Sequence, residues 1–169
     1  LDYEDPDDAD DDNDYIVTVT ISDGVNTGAT ISYTVTVDDT NDQTPTYSSS
    51  DTTPNIDEGT TAVETLTVTD TDTGDVNACT LAGDDSEDFT CTVSGDSVSL
   101  AFTSAPDYET PGSDASSNDY AVTVTISDGT NTGSTISYTV TVDDTNDQTP
   151  TYSGGDTTPS VAAGTPAVE

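Results

Sequence analysis

This 169-residue sequence contains no lysine, arginine, histidine, methionine or tryptophan, whereas aspartate and glutamate together number 35. Its formal net charge at pH 7 is therefore -35. Binding to nucleic acids or to anionic membrane surfaces depends on basic side chains, so neither partner is expected. Without histidine and lysine, the common serine, cysteine and imine-forming catalytic centres cannot be built. The sequence predicts a binding or structural protein and not an enzyme.

Long apolar runs are also missing. No stretch approaches the roughly 20 apolar residues of a membrane-spanning helix, and the first residues show no basic segment followed by an apolar one. We therefore expect no membrane insertion in this segment and place any targeting signal outside it. No stretch combines a 3.6-residue apolar period with helix caps, which predicts that helix is nearly absent.

The apolar residues that are present alternate with small polar ones, as in antiparallel strands with one buried face. The pattern is clearest at 120–127 and 136–142, and the turn sequence SDGTNTGS between them predicts a hairpin. Further strands are predicted at 62–69, 78–81, 89–93 and 98–102. Together these segments predict an all-β fold.

The sequence repeats itself. Residues 1–64 align without gaps on residues 106–169, and 46 of the 64 pairs are identical. The offset of 105 residues is about the length of one β-sandwich. We interpret 1–45 as the C-terminal part of one repeat, 46–150 as a complete repeat and 151–169 as the start of the next. Since a C-terminal part alone lacks strands to cover its apolar face, we expect a longer array or completion by a neighbouring chain.

Cys79 and Cys91 are the only cysteines, and they flank the sequence TLAGDDSEDFT. A hairpin that turns around Asp85 would place them opposite each other. We predict a cross-strand disulfide, worth about 3 kcal/mol for a loop of this size. Two buried free thiols are the alternative, and a zinc site is not expected with two cysteines and no histidine.

The acidic residues fall into two groups when the aligned copies are compared. The run from Asp5 to Asp12 is replaced by neutral residues at most positions of the second copy, and we interpret it as a solvated loop. In contrast, Asp2, Glu4, Asp39, Asn41 and Asp42 recur as Asp107, Glu109, Asp144, Asn146 and Asp147. Oxygen ligands without histidine or cysteine favour Ca²⁺. A catalytic carboxylate pair is the weaker interpretation, because a small repeat predicts no cleft.

These motifs resemble the cadherin repeat family, in the form of prokaryotic-type tandem repeats of extracellular proteins. DTNDQTP (39–45 and 144–150) resembles its DxNDNxP linker, and LDYE and PDYE resemble its LDxE motif. TDTDTGDVNA (69–78) is similar to its DxD followed by Asn, and TISDG resembles its late Asp before Gly. Glu58, in DEGT, takes the place of its early Glu. The motifs follow the cadherin order along essentially the whole chain.

The resemblance implies tandem, seven-stranded Greek-key β-sandwiches of the cadherin or immunoglobulin-like type, with up to three Ca²⁺ at each junction between repeats. At the junction within this chain the implied ligands are Asp2, Glu4, Asp39, Asn41, Asp42, Asp70, Asp72, Asn77 and Asp128. At the next junction they are Glu58, Asp107, Glu109, Asp144, Asn146 and Asp147.

The sequence departs from the family pattern at two places. Gln43 and Gln148 replace the final Asn of the linker motif, where the family can use the backbone carbonyl. Ala162 and Ala163 stand where the complete repeat has an Asp-Glu pair, which predicts that the junction after the third repeat is weakened or absent.

We expect from these features a calcium-rigidified repeat of an extracellular or cell-surface stalk or filament, whose neighbours are copies of itself. The alternative is a calcium-dependent adhesin that binds another cell or a glycan. Thr-Pro dipeptides at Thr44, Thr53, Thr149 and Thr158 are candidate sites for O-linked glycans. β-propensity and solubility are the other explanation of the many threonines.

Overall fold

The computed structural model describes residues 1–8, 10–72, 77–155 and 163–164. The fold is all-β, as predicted, and the described residues include one short 3₁₀ turn, Ser86–Asp88. The strands are β1 Asp14–Ser22, β2 Thr27–Thr36, β3 Thr46–Tyr47, β4 Asn55–Asp57, β5 Ala62–Thr69, β6 Ala78–Ala82, β7 Phe89–Ser94, β8 Ser97–Phe102, β9 Asp119–Ser127 and β10 Thr132–Asp143. No helix in these ranges has the length and apolar character that crossing a membrane requires.

Two four-stranded sheets enclose one core. Their strand orders are β4-β10-β9-β6 and β3-β5-β8-β7, and β9 and β10 form the predicted hairpin. The inward-facing residues of both sheets are buried together, because alternation places every second apolar side chain on the same face. At one end of the core Phe102 stacks on Phe89 at 4.5 Å between ring centroids and meets Tyr120 edge-on at 5.1 Å.

The cysteines are joined by a disulfide, but not across a hairpin. β6 pairs with β9 and β7 pairs with β8, so Cys79 and Cys91 lie in different sheets, with 6.1 Å between their Cα atoms. The predicted hairpin around Asp85 is therefore wrong. Asp85 is buried and accepts a 2.6 Å hydrogen bond from the backbone N–H of Ala121, which fixes the crossing between the sheets. The disulfide covalently links β6 of one sheet to β7 of the other.

The first strand of the complete repeat is divided between the sheets. β3 pairs with β5 and β4 pairs in parallel with β10. Residues 46–143 thus hold eight described strand segments, which are seven strands when β3 and β4 are counted as one divided strand. Between them the Ser49 hydroxyl donates to the Glu64 carboxylate at 2.8 Å, and the buried Tyr138 hydroxyl donates to the same carboxylate at 2.5 Å. These bonds hold the crossing segment against the core. The Greek-key connection order stays a prediction.

A separate two-stranded sheet, β1-β2, has the same register as β9-β10, since Tyr15 pairs with Val35 as Tyr120 pairs with Val140. The face of β1-β2 that corresponds to the buried face of β9-β10 is not covered by any described residue of the core. Ile126 of β9 is 0% exposed, whereas the equivalent Ile21 of β1 is 70% exposed.

Candidate metal centre

The first linker, residues 38–45, runs from β2 to β3, and polar residues from both sides meet it. Glu4 precedes β1, Asp70 and Asp72 follow β5, and Asp128 follows β9. Asp70 and Asp128 directly follow a strand and Asp72 stands two residues further on, whereas Glu4 lies ten residues before β1. Where the backbone leaves a sheet its N–H groups lose their partners in the ladder, and side-chain carboxylates can accept hydrogen bonds from them.

Three carboxylates form what we call the first acid cluster. One oxygen each of Glu4, Asp39 and Asp72 lies within 4.8 Å of the other two. Asp72 is only 8% exposed, and its Oδ2 accepts a 2.8 Å hydrogen bond from the backbone N–H of Gln43. The cluster thus joins the segment before β1, the linker and the loop after β5.

Like charges dominate the first acid cluster, because the chain has no basic side chain to offset them. The pKa of Glu4 is raised from 4.5 to about 7, mainly because burial disfavours the ionised carboxylate, and the charge of Asp39 adds to the effect. Without a cation, full ionisation of this cluster is opposed by its own surroundings.

Several oxygens beside the linker are buried without a donor. Glu4 Oε1, Asp70 Oδ2, Asp72 Oδ1 and Asn77 Oδ1 accept no hydrogen bond from any residue that the structure describes. Buried polar atoms normally have partners, and leaving them without one costs free energy. Carboxylate and amide oxygens gathered from several segments are the donor set of Ca²⁺, which takes six to eight of them. The residues present therefore fit this ion.

Asp128 lies in the turn after β9, whose Asn131 contacts the first linker. It is buried, and its Oδ1 accepts backbone hydrogen bonds from Thr130 at 2.7 Å and from Asn131 at 2.6 Å. Burial raises its pKa, but these bonds and the Asn131 side chain together hold the pKa below its usual value. The Asn131 amide also reaches the linker, at 2.7 Å from Asn41 Oδ1 and 2.6 Å from the Gln43 carbonyl oxygen.

A second acid cluster stands at the far end of the complete repeat. Oxygens of Glu58, Glu109 and Asp144 lie within 4.8 Å of one another. Glu58 accepts hydrogen bonds from the backbone N–H groups of Tyr108 at 2.9 Å and Thr145 at 2.8 Å, which lower its pKa. Burial raises the pKa of Glu109, and neighbouring carboxylates add to it.

The structure separates the two aspartates of each linker that are implied as ligands. Asp39 and Asp144 enter the clusters, whereas Asp42 and Asp147 are exposed and each accepts a 2.8 Å hydrogen bond from the side-chain amide of the glutamine that follows it. The implied ligands that lie outside both clusters are Asp2, Asn41, Asp42, Asp70, Asn77, Asp107, Asp128, Asn146 and Asp147.

Two features of the structure were missed by the sequence analysis. Asp8, Asp10 and Asp12 of the loop interpreted as solvated also bring oxygens within 4.8 Å of one another. In the aligned loop of the second copy, the Ser113 hydroxyl closes the turn by donating to the Ser117 carbonyl at 2.7 Å. The other feature is the contact of the Asn131 side-chain amide with Asn41 and Gln43 of the first linker. In the sequence, Asn131 looks like an ordinary turn residue.

The Thr-Pro threonines have an open position. Thr44, Thr53 and Thr149 are exposed. Thr158 lies outside the described residues, as does Ala162 of the third repeat.

No family model and no curated protein matches this chain. Among solved structures, a protocadherin gammaB7 EC3-6 cis-dimer is similar at 24% identity and a TM-score of 0.64, over 88% of this chain and 34% of that chain. Human protocadherin-24 EC1-2 is similar at 20% identity and a TM-score of 0.61, over 86% of this chain and 69% of that chain. The human desmocollin-1 ectodomain is similar at 14% identity and a TM-score of 0.56, over 70% of this chain and 24% of that chain. This chain thus spans about a third of the first of these, and it has the fold of cadherin extracellular repeats.

Proposed function

We propose that this chain is a calcium-rigidified structural repeat of an extracellular stalk or filament, with Ca²⁺ held at the junctions between repeats. The observation that carries the proposal is the set of buried oxygens of Glu4, Asp70, Asp72 and Asn77, which accept no hydrogen bond from described residues. They come from segments on both sides of the first linker. A ligand that satisfies them would also tie those segments together.

The residues at each junction have distinct tasks in this proposal. The first acid cluster supplies charge and orients its oxygens through the Gln43 N–H, while Asn41 of the linker is joined by Asn131 to the turn that holds Asp128. Bound Ca²⁺ would supply positive charge and positions for these oxygens, up to three ions at a junction. With the carboxylates ionised and no cation, their repulsion favours a bent or separated linker.

The remaining acids explain why the array would stay extended. A formal charge of -35 leaves a large excess of negative charge over the positive charge of a few divalent ions, and repulsion between like repeats disfavours folding back of the array.

We assign residues 1–45, 46–150 and 151–169 to successive repeats, with copies of the chain as neighbours. The disulfide between Cys79 and Cys91 supports an extracellular location, because disulfides persist in oxidising surroundings.

Calcium titration of the full chain tests the proposal. By isothermal calorimetry we expect binding with dissociation constants of about 10⁻⁴ to 10⁻³ M, as in extracellular calcium modules. Thermal unfolding should shift upward with calcium and return on adding a chelator, because a ligand of the folded state stabilises it. Mg²⁺ is the control, since it demands a smaller octahedral site. Absence of heat and of any thermal shift up to about 10 mM Ca²⁺ would remove the proposal.

Electron microscopy of the native assembly tests the stalk or filament. Long rods with a regular period that become flexible in chelator support it. Discrete contacts between the tips of separate molecules would instead favour the adhesin.

A further inference from the structure

The side-chain nitrogen of Asn131 is surrounded by oxygens. It lies 2.6 Å from the Gln43 carbonyl oxygen, 2.7 Å from Asn41 Oδ1, 3.2 Å from Asp128 Oδ2 and 3.5 Å from the Asn41 carbonyl oxygen. An amide nitrogen carries two hydrogens, so it cannot satisfy all of these acceptors. Oxygens of three residues that converge on one point form an arrangement suited to a cation.

The same oxygens belong to residues that the proposed function assigns to calcium. Asn41 and Asp128 are implied ligands, and the Gln43 carbonyl is the backbone group expected to act at the final linker position. The short N···O distances of 2.6 and 2.7 Å are close to the 2.3 to 2.6 Å of Ca²⁺–oxygen contacts. The amide and a cation cannot share this position, because both need the same lone pairs.

The first copy of the turn shows what its local geometry requires. Asp23 Oδ1 accepts backbone bonds from Val25 at 2.9 Å and Asn26 at 2.7 Å, as Asp128 does from its own turn. Within the described residues, however, the Asn26 amide donates only to Asp23, at 3.4 Å. The turn therefore forms without a side-chain bridge, and the reach of Asn131 into a linker is specific to the junction.

We propose that Asn131 is a latch that takes the place of a cation at the first junction when metal is absent. Its amide ties the β9-β10 turn to the first linker, and it has to leave before a cation can use Asn41, Gln43 and Asp128. The latch rests on the proposed function, since it has meaning only if calcium binds there. It keeps the linker docked on the β9-β10 turn in the metal-free protein and lowers the affinity of this site for calcium.

The test compares Asn131→Ala with the matched variant Asn26→Ala, both in the full chain. Calorimetry with CaCl₂ should show tighter binding by Asn131→Ala, by about fivefold, because no hydrogen bonds need to be broken first. Its metal-free unfolding midpoint should fall, and at saturating calcium it should approach that of the wild type. Asn26→Ala should leave both quantities unchanged.

The other outcomes overturn the latch. Weaker calcium binding by Asn131→Ala would make Asn131 a ligand through its Oδ1. Unchanged affinity, with an equal loss of stability with and without calcium, would make it a plain structural link. If the wild type binds no calcium, both the proposed function and the latch fail. If the wild type binds calcium and Asn131→Ala binds it with the same affinity, only the latch fails.

A wild-type measurement covers the case in which Asn131→Ala does not fold. The side-chain amide protons of Asn131 can be followed by ¹⁵N-resolved NMR during calcium titration. We expect slow exchange with solvent in the metal-free protein and fast exchange once calcium is bound, while Asn26 changes little. Protection that persists at saturating calcium would contradict displacement of the amide.

Discussion

The two copies of DDTNDQTPTYS have the same sequence but different surroundings. In the first copy Pro45 is fully buried, and the Tyr47 hydroxyl donates to a backbone carbonyl of β9 at 2.8 Å. In the second copy Pro150 is exposed and Tyr152 is 85% exposed. The first linker is enclosed by the strands on either side of it. The neighbouring strands, and not the linker sequence itself, therefore decide whether a copy of the motif is enclosed.

The largest expected difference between copies lies in the hairpins that precede the two linkers. Ile126→Ala removes a side chain that is fully buried between the sheets, and should lower the free energy of unfolding by about 2 to 5 kcal/mol. Ile21→Ala removes its exposed equivalent and should change it by less than about 0.5 kcal/mol. Urea unfolding followed by circular dichroism measures both. Equal losses would mean that the face of β1-β2 is covered in solution.

The next difference concerns the acids beside the linkers. Asp72→Asn replaces a buried carboxylate of the first acid cluster with a neutral amide, and should weaken calcium binding more than about tenfold. Asp147→Asn alters an exposed acid of the second linker that already bonds its neighbouring glutamine, and should have an effect below about twofold. Calorimetric titration of both variants measures this contrast. A larger loss from Asp147→Asn would place the dominant site at the second linker.

Six strands of the complete repeat could be predicted to within a few residues, but of their pairings only the β9-β10 hairpin could. The strand predicted at 62–69 is β5, because the alternation of apolar and polar residues is a local property of the chain. The hairpin predicted around Asp85 failed for the opposite reason. Alternation states which face of β6 and β7 is buried, and both belong to one core, yet it does not state which strands pair with them.

The site shows the same limit. Glu4, Asp39 and Asp72 were predicted as ligands from motif order, and the fold brings their oxygens together. Asn131 was missed because Asn before Thr-Gly is sufficiently explained by turn chemistry. Its contact with Gln43 joins residues 88 positions apart, which no local pattern contains.

The smallest expected effect is a pH dependence of the metal-free protein. Because the pKa of Glu4 is about 7 in the folded protein and 4.5 ordinarily, the folded state binds the proton more tightly than the unfolded state does. Stability should therefore decrease as pH rises from about 4.5 to 7. The raised pKa of Glu109 acts in the same direction, whereas the lowered pKa values of Glu58 and Asp128 matter only below this window.

Glu4→Gln should flatten this decrease more than Glu109→Gln does, since Glu4 carries the larger shift. The direct measurement is ¹³C NMR of the Glu4 side-chain carboxyl, with an expected midpoint of about 7 without metal. Saturating calcium should move this midpoint to lower pH, because a cation favours the ionised form. A metal-free midpoint near 4.5 would show that water reaches Glu4, and the first linker would then be as open as the second.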